Sequence, residues 1–122
     1  MKVVLVLDAD KVRLRIAEAL SETTGTNLSI CSSDGANIHS QVLQLQPDVV
    51  IVDVHLRSGG ALELIRHLKA AEKAPVVIAL ASSSSIKYRA SCHKAGAEYF
   101  FDIVRELERL TDAVRELQKE LC

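Results

Sequence analysis

The sequence of 122 residues contains no tryptophan, and aromatic residues make up only 3% of it. So few rings leave little material for stacking on nucleic-acid bases. An excess of charge of one sign is also missing, because 15 Lys and Arg against 16 Asp and Glu give a formal net charge of -1. No overall field therefore attracts the chain to nucleic acid or to an anionic membrane. We expect no direct nucleic-acid partner.

Cysteines and long apolar runs are scarce as well. The three cysteines, Cys31, Cys92 and Cys122, are widely separated and form no C-x-x-C pair, which argues against a disulfide framework and against a zinc site. No apolar run approaches the roughly 18 to 20 residues that a membrane span needs. Lys2, followed directly by a strand-like run, is not part of a secretory signal. We expect a cytoplasmic protein with reduced thiols and no membrane partner.

The bulk composition is that of a folded protein. Hydrophobic residues make up 48% of the chain and charged residues 25%, which is far from the composition of disordered segments. The length suits one core, and no linker or repeat divides the sequence. We expect residues 1–122 to form a single domain.

Five segments have the character of β-strands. Continuous apolar runs, which suit strands covered on both faces, lie at Val3 to Leu7, Val49 to Val52 and Val76 to Leu80. Weaker candidates are Asn27 to Cys31 and Glu98 to Phe101.

Helical spacing of apolar residues follows each strand candidate, and Gly96 is placed to end the fourth helix. The alternation predicts an α/β fold: a doubly wound, five-stranded parallel sheet in a (βα)5 flavodoxin-like three-layer sandwich. The clearest helix has apolar spacings of 3, 4, 3 and 4, which we interpret as a face that covers the core and not as a coiled-coil seam. The apolar faces are Val12, Ile16 and Ala19 or Leu20; Ile38, Val42 and Leu45; Leu62, Ile65 and Leu68; Ile86, Ala90 and His93 or Lys94; and Leu107, Leu110, Val114, Leu117 and Leu121.

Acidic residues follow two of the predicted strands. Asp8 comes after the first apolar run, Asp53 ends the third, and Asp10 lies two residues past Asp8. The carboxyl ends of parallel strands form the ligand-binding edge of such a sheet, so Asp8 and Asp53 should meet there. Clustered carboxylates favour a hard cation such as Mg²⁺. Helix capping is the alternative for Asp10 and, less favourably, for Asp8.

At these residues the chain resembles the response-regulator receiver family along its whole length. The stretch from Val4 to Asp8 is similar to the first strand of that family and its acidic pocket. The stretch from Pro47 to Asp53 is similar to the strand that ends in the phosphoacceptor. The stretch from Leu62 to Ile65 resembles the start of the third helix. Ala95 to Phe100 resembles the turn into the fifth strand, with Phe100 at the position of the switch aromatic.

The resemblance implies a signalling domain, not an enzyme, in two-component phosphorelay signal transduction. Asp53 would accept a phosphoryl group from a sensor histidine kinase or a phosphotransfer protein and act on a downstream protein target. Mg²⁺ would be held by the acidic pair, by Asp53 and by the backbone carbonyl of His55. The four histidines, His39, His55, His67 and His93, lack ligand spacing and are expected at the surface.

Several residues depart from the family pattern. Ala9 stands where the second acid of the pair is expected, so Mg²⁺ binding is weakened unless Asp10 turns inward. Ala81 takes the place of a hydroxyl residue that contacts the phosphoryl group, and Ser82 is one residue further on. Ile103 replaces the expected lysine.

Two prolines that the family pattern expects are also missing. Val104 replaces the one after that lysine, and Arg57 stands where one often follows the phosphoacceptor loop. The departures leave two interpretations open within the family: an impaired phosphoacceptor, or a protein-interaction module that works without phosphorylation.

A third interpretation comes from another class of protein. Residues Leu7 to Val12 also match the D-x-D-x-V pattern of haloacid-dehalogenase-type phosphatases, in which Asp8 would be the nucleophile and Asp10 the general acid. The late acidic pair of that class is missing. We further expect either action through protein contacts or a chain that belongs to a longer protein, and dimerisation stays open.

Overall fold

The computed structural model describes residues 1–7, 10–22, 27–31, 38–56, 60–81 and 87–121, and for residues 10–13 only the backbone. Its strands are β1 (Lys2–Val6), β2 (Asn27–Cys31), β3 (Val49–Asp53), β4 (Val76–Ala81) and β5 (Tyr99–Asp102). Its helices are α1 (Asp10–Ser21), α2 (Ile38–Gln44), α3 (Ala61–Lys69), α4 (Arg89–Ala95) and α5 (Leu107–Leu121).

The five strands form one parallel sheet in the order β2-β1-β3-β4-β5. The connection from β2 to β3 crosses over β1, so the direction of winding reverses between β1 and β3. In open sheets of this kind the reversal opens a crevice at the carboxyl ends of the two central strands. The predicted α/β, doubly wound, five-stranded parallel fold is confirmed.

Two hydrophobic clusters, one on each face of the sheet, hold the layers together. Successive strand residues point to opposite faces, so Val4 and Val6 belong to one cluster and Val3 and Leu5 to the other. The first cluster is covered by α2, α3 and α4, and the second by α1 and α5. All four of these valine and leucine side chains are fully buried, which explains the unbroken apolar runs in the sequence.

The element boundaries differ from the predicted ones by a residue or two. Strand β5 begins at Tyr99, one residue late, because Glu98 uses its backbone and its carboxylate to bind β4 at Val77. On α3 the buried face includes Ala61 and Leu64, while Leu62 is only partly buried. The predicted face of α4 is wrong, because Ala90 is exposed and the buried residues of that helix are Cys92 and Ala95.

The longest helix, α5, has 15 residues. Its predicted apolar face packs on the sheet, but the last member, Leu121, is 48% exposed. Within the described ranges, no helix combines the length and the apolar character needed to cross a membrane.

Candidate functional site

Asp53 is the last residue of β3 and lies at the carboxyl edge of the sheet, half-buried between the neighbouring strands. On one side β3 pairs with β1 up to Val6 and Val52, and on the other Asp53 is in register with Leu80. The N–H of Val54 donates to the Leu80 carbonyl at 2.9 Å, which carries the ladder one residue beyond the strand. The backbone at the carboxylate is therefore fixed by the sheet.

The residues after Asp53 orient its carboxylate. The backbone N–H of His55 donates to Oδ1 of Asp53 at 2.9 Å. The ring of His55 is exposed and lies edge-on to Tyr88, with 6.4 Å between ring centres. A cavity of about 440 Å³ opens beside these two rings between α3 and the start of α4. It is lined by Val54, His55, Leu56, Ala61, Leu62, Glu63, Arg66 and Tyr88.

The other predicted metal ligands lie largely outside the described residues. This holds for Asp8 and for the side chain of Asp10, whose backbone begins α1. Of the predicted magnesium ligands, Asp53 and the His55 backbone are described; the observed contact between them is made by the His55 N–H and not by the carbonyl oxygen that was predicted to bind the metal. Among the described side chains, no group of three His, Cys, Asp or Glu is gathered for a metal. The four-member site stays a prediction.

The position after β4 is described only in part. Ala81 ends β4 with its side chain 1% exposed, and Ser82 lies outside the described residues. The N–H of Ile103 donates to the Ala81 carbonyl at 2.9 Å. The side chain of Ile103 packs against the cluster under α1 and α5. An apolar group therefore occupies the position at which the family resemblance calls for an ammonium group.

A buried carboxylate beside Ile103 was not predicted from the sequence. Asp102 ends β5 and is 3% exposed, and its Oδ1 accepts the N–H groups of Val104 at 2.8 Å and Arg105 at 3.3 Å. Its own N–H donates to Oε1 of Glu106 at 2.9 Å. These bonds satisfy the backbone of the turn before α5. The only sequence signal was an acid followed four residues later by Glu106.

Phe100, the predicted switch aromatic, is 4% exposed. The guanidinium carbon of Arg89 lies 5.0 Å from its ring centre, within cation–π distance. The same guanidinium lies 3.7 Å from Glu106, which also binds Arg109 at 3.1 Å. The guanidinium of Arg89 therefore covers the Phe100 ring, and its ion pair with Glu106 links α4 to the start of α5. No motif in the sequence predicts this long-range contact.

The predicted surface location of the histidines is correct for His55, His67 and His93, which are exposed, whereas His39 is half-buried. His93 Nδ1 lies 2.9 Å from the Ala97 carbonyl. His39 and His67, which are far apart in sequence, stack with 4.6 Å between ring centres.

Comparison with known proteins agrees with this geometry. The family model described as "Response regulator receiver domain" matches residues 3–115. The response regulator GacA of Pseudomonas aeruginosa is 26% identical over 117 residues, which cover 96% of this chain and 55% of that protein. The chain therefore spans about half the length of this curated relative.

Solved structures with the same fold include two receiver domains. The signal receiver domain of the merR response regulator from Colwellia psychrerythraea has a TM-score of 0.86 at 15% identity, covering 98% of each chain. The response regulatory domain of mrkE from Klebsiella pneumoniae has a TM-score of 0.84 at 12% identity, covering 98% of this chain and 97% of the other. At such identities these likenesses show the fold.

The family match spans nearly the whole chain and includes Asp53 at the end of the central strand and Phe100 in β5. Members of this family are signalling domains of two-component systems that accept phosphoryl groups, and this chain belongs to the response regulator receiver domain family.

Proposed function

We propose that Asp53 accepts a phosphoryl group from the histidine of a sensor kinase or phosphotransfer protein. The observation that carries the proposal is the hydrogen bond from the His55 N–H to Asp53 Oδ1, which restricts the orientation of a half-buried carboxylate at the sheet edge. A carboxylate held in one orientation loses little freedom when it attacks phosphorus. The domain itself would have no enzymatic output beyond this self-catalysed transfer.

Magnesium is part of the proposal. Asp53 and the His55 backbone carbonyl, together with Asp8 and Asp10, would hold the ion, and their oxygen atoms are the donors that Mg²⁺ prefers. The ion would neutralise negative charge on the phosphoryl group. Ala9 removes one carboxylate, so we expect weaker Mg²⁺ binding than in a receiver with two adjacent acids.

We further propose that phosphorylation is slow. Ile103 packs its partly buried apolar side chain against the cluster under α1 and α5 and presents no cation, and Ala81 has no hydroxyl, which leaves Ser82 as the phosphoryl contact. Loss of one preorganised donor from such a site typically costs on the order of 10² to 10³ in rate. The chemistry would then depend more heavily on the partner protein.

We propose that the partner protein contacts two exposed apolar side chains. Leu14 on α1 is 64% exposed and Val104, just after β5, is 68% exposed. Both α1 and the turn that contains Val104 follow strands at the carboxyl edge, on the side of the sheet that α1 and α5 cover.

The second candidate function is a protein-interaction module that works without phosphorylation. The observation in its favour is the same packing of Ile103, which is compatible with a site that has lost its chemistry. The family match supports both receiver interpretations and gives no support to the phosphatase alternative built on Asp8 and Asp10. The single domain over 1–122, the cytoplasmic location and dimerisation stay predictions.

The test is incubation with acetyl phosphate or beryllofluoride, with and without Mg²⁺, followed by intact mass and amide NMR. The proposal requires a Mg²⁺-dependent adduct in the wild type, with amide shifts at His55 and Phe100, that is lost in Asp53→Asn. Asp112→Asn is the matched control, because that exposed aspartate lies on α5 and pairs only along its helix. An adduct that persists in Asp53→Asn, or none in the wild type, overturns the phosphoacceptor proposal.

A further inference from the structure

His39 on α2 and His67 on α3 bring two imidazole rings together outside the set of residues proposed to bind Mg²⁺. Their ring centres lie 4.6 Å apart with 17° between the ring planes. His39 is half-buried and His67 is exposed, so the pair is open to solvent from one side. Imidazole is the commonest side-chain ligand of transition metals in proteins.

We propose that His39 and His67 form a binding site for a divalent transition metal such as Zn²⁺, Ni²⁺ or Cu²⁺. The spacing supports this: two imidazoles bound to one zinc ion at about 2.0 to 2.1 Å hold their ring centres roughly 5 Å apart. The observed 4.6 Å is close to that distance. Both rings must turn from the stacked arrangement to aim a nitrogen at the ion, and rotation about the Cβ–Cγ bond is broad and inexpensive.

The two helices are already held in place for this site. They lie on the same face of the sheet, where Val42 of α2 and Leu64, Ile65 and Leu68 of α3 share one buried cluster. The metal would therefore not have to bring the histidines together from separate positions. Preorganisation of this kind lowers the entropy cost of binding.

The surrounding charges permit a cation. Helix α2 has the sequence Ile-His-Ser-Gln-Val-Leu-Gln and contains no charged residue. On α3, Glu63 lies one turn before His67 on the same face, and of the two cations near His67, Arg66 and Lys69, the latter is paired with Glu98. In the described residues no third His, Cys, Asp or Glu completes a ligand group, so water would fill the remaining positions.

The choice of metal separates this site from the one proposed at Asp53. Nitrogen ligands favour the later first-row metals, whereas Mg²⁺ prefers oxygen. A metal bound between α2 and α3 would also restrict the movement of α3, which is the helix that follows the Asp53 loop. Binding to the folded state alone would raise thermal stability.

The experiment uses Ni²⁺ on the full chain, with affinity measured by calorimetry and location by paramagnetic broadening of amide signals. We expect one Ni²⁺ per chain, broadening centred on residues 38–41 and 65–69, and a higher Tm. Since loss of a ligand's hydrogen-bond partner already costs 10- to 100-fold in affinity, His39→Gln and His67→Gln should each weaken binding at least about tenfold. A large excess of Mg²⁺ should not displace the ion.

Two further variants separate ligation from other effects. His67→Phe keeps a ring that can stack on His39 but has no ligand nitrogen, so it should lose Ni²⁺ binding while its stability without metal stays near the wild type. His93→Gln is the matched control on α4 and should bind as the wild type does. Retention of affinity in His39→Gln and His67→Gln, or broadening centred on Asp53 or a cysteine, overturns the proposal. So does the absence of saturable binding.

Discussion

The backbone N–H of Ile103 donates a hydrogen bond of 2.9 Å to the carbonyl oxygen of Ala81. This bond places the residue after β5 beside the last residue of β4, at the edge of the sheet to which Asp53 belongs. The side chain of Ile103 is partly buried under α1 and α5. The backbone therefore holds position 103 in place whichever side chain it carries. A longer side chain introduced there would extend from a fixed Cα beside the end of β4.

Ile103→Lys should therefore speed phosphorylation of Asp53 by acetyl phosphate. The ammonium group would stabilise charge on the phosphoryl group in the transition state, and we expect an increase of about 10-fold or more. The measurement is the rate of adduct formation by intact mass. The matched control is Val104→Lys, which adds the same charge one residue on at a side chain that is 68% exposed. Equal acceleration by both variants would mean that general charge, not position 103, is responsible.

The sequence predicted the fold well because the fold depends on local patterns. Continuous apolar runs identified β1, β3 and β4, weaker patterns identified β2 and β5, and the helical spacing of apolar residues identified the helices. The ends of elements were harder to predict. Glu98 was assigned to a strand because of its neighbours, whereas its carboxylate binds the N–H of Val77 in another strand. Such tertiary hydrogen bonds are not accompanied by a periodic pattern of residues in the sequence.

The candidate site was predictable only where a residue lies at a strand end. Asp53 follows an apolar run, so its place at the edge was clear, whereas Phe100 was assigned only from the family resemblance. The cover that Arg89 forms over Phe100 and the His39–His67 pair were not predictable. These residues lie on different helices. Packing of the helices on the sheet sets their relative positions, and no local sequence pattern records it.

Glu98 should contribute measurably to stability because it links three elements. Its Oε2 accepts the Val77 N–H at 2.8 Å, and its Oε1 binds Lys69 Nζ at 2.5 Å. Lys69 Nζ also donates to the Pro75 carbonyl at 2.8 Å. We expect Glu98→Ala to lower the free energy of unfolding by about 1–2 kcal/mol, and Glu98→Gln by less because the amide oxygen still accepts a hydrogen bond.

Urea unfolding measures the effect of the Glu98 variants, and Glu116→Ala is the matched control. Glu116 lies 3.7 Å from Lys119, with side chains 65% and 76% exposed, so its loss should cost under about 0.5 kcal/mol. A loss as large in Glu116→Ala as in Glu98→Ala would contradict the bridging role.

The thiols of Cys31 and Cys92 should react slowly with iodoacetamide. Burial raises the pKa of both thiols above the ordinary value of 9.0 because desolvation disfavours the thiolate, which is the reactive form. Cys92 is fully buried and should be modified only when the protein opens, whereas Cys31 on edge strand β2 is half-buried and should react sooner.

Peptide mapping by mass spectrometry after timed alkylation distinguishes the two thiols. Their folded pKa lies above the unfolded one, so the stability they contribute is full well below the unfolded thiol pKa and is lost as the pH rises through the folded pKa. Labelling of Cys92 should therefore accelerate steeply in alkali. Equal rates for Cys92 and a small free thiol at pH 8 would show that burial does not protect it.

Gly96→Ala should destabilise the domain through backbone strain and a clash. Gly96 ends α4 with φ 120°, a conformation that residues with a Cβ rarely adopt, and a Cβ there would lie 2.6 Å from Cγ of Lys69. Lys69 cannot easily retreat because its Nζ is bound to Glu98 and to the Pro75 carbonyl. The expected loss is about 1–3 kcal/mol in the free energy of unfolding.

Gly60→Ala is the comparison for that measurement. Gly60 precedes α3 with φ -103°, and a Cβ there would meet no heavy atom within 4 Å. The substitution also restricts the unfolded chain, so it should leave stability unchanged or raise it by up to about 1 kcal/mol. Urea unfolding of both variants decides the matter: similar losses at the two glycines would show that neither the left-handed φ nor the Lys69 contact limits position 96. The double variant Gly96→Ala with Lys69→Ala is compared with Lys69→Ala alone. If only Gly96→Ala loses stability, and the loss is smaller when Lys69 is already alanine, the clash with Lys69 is its cause.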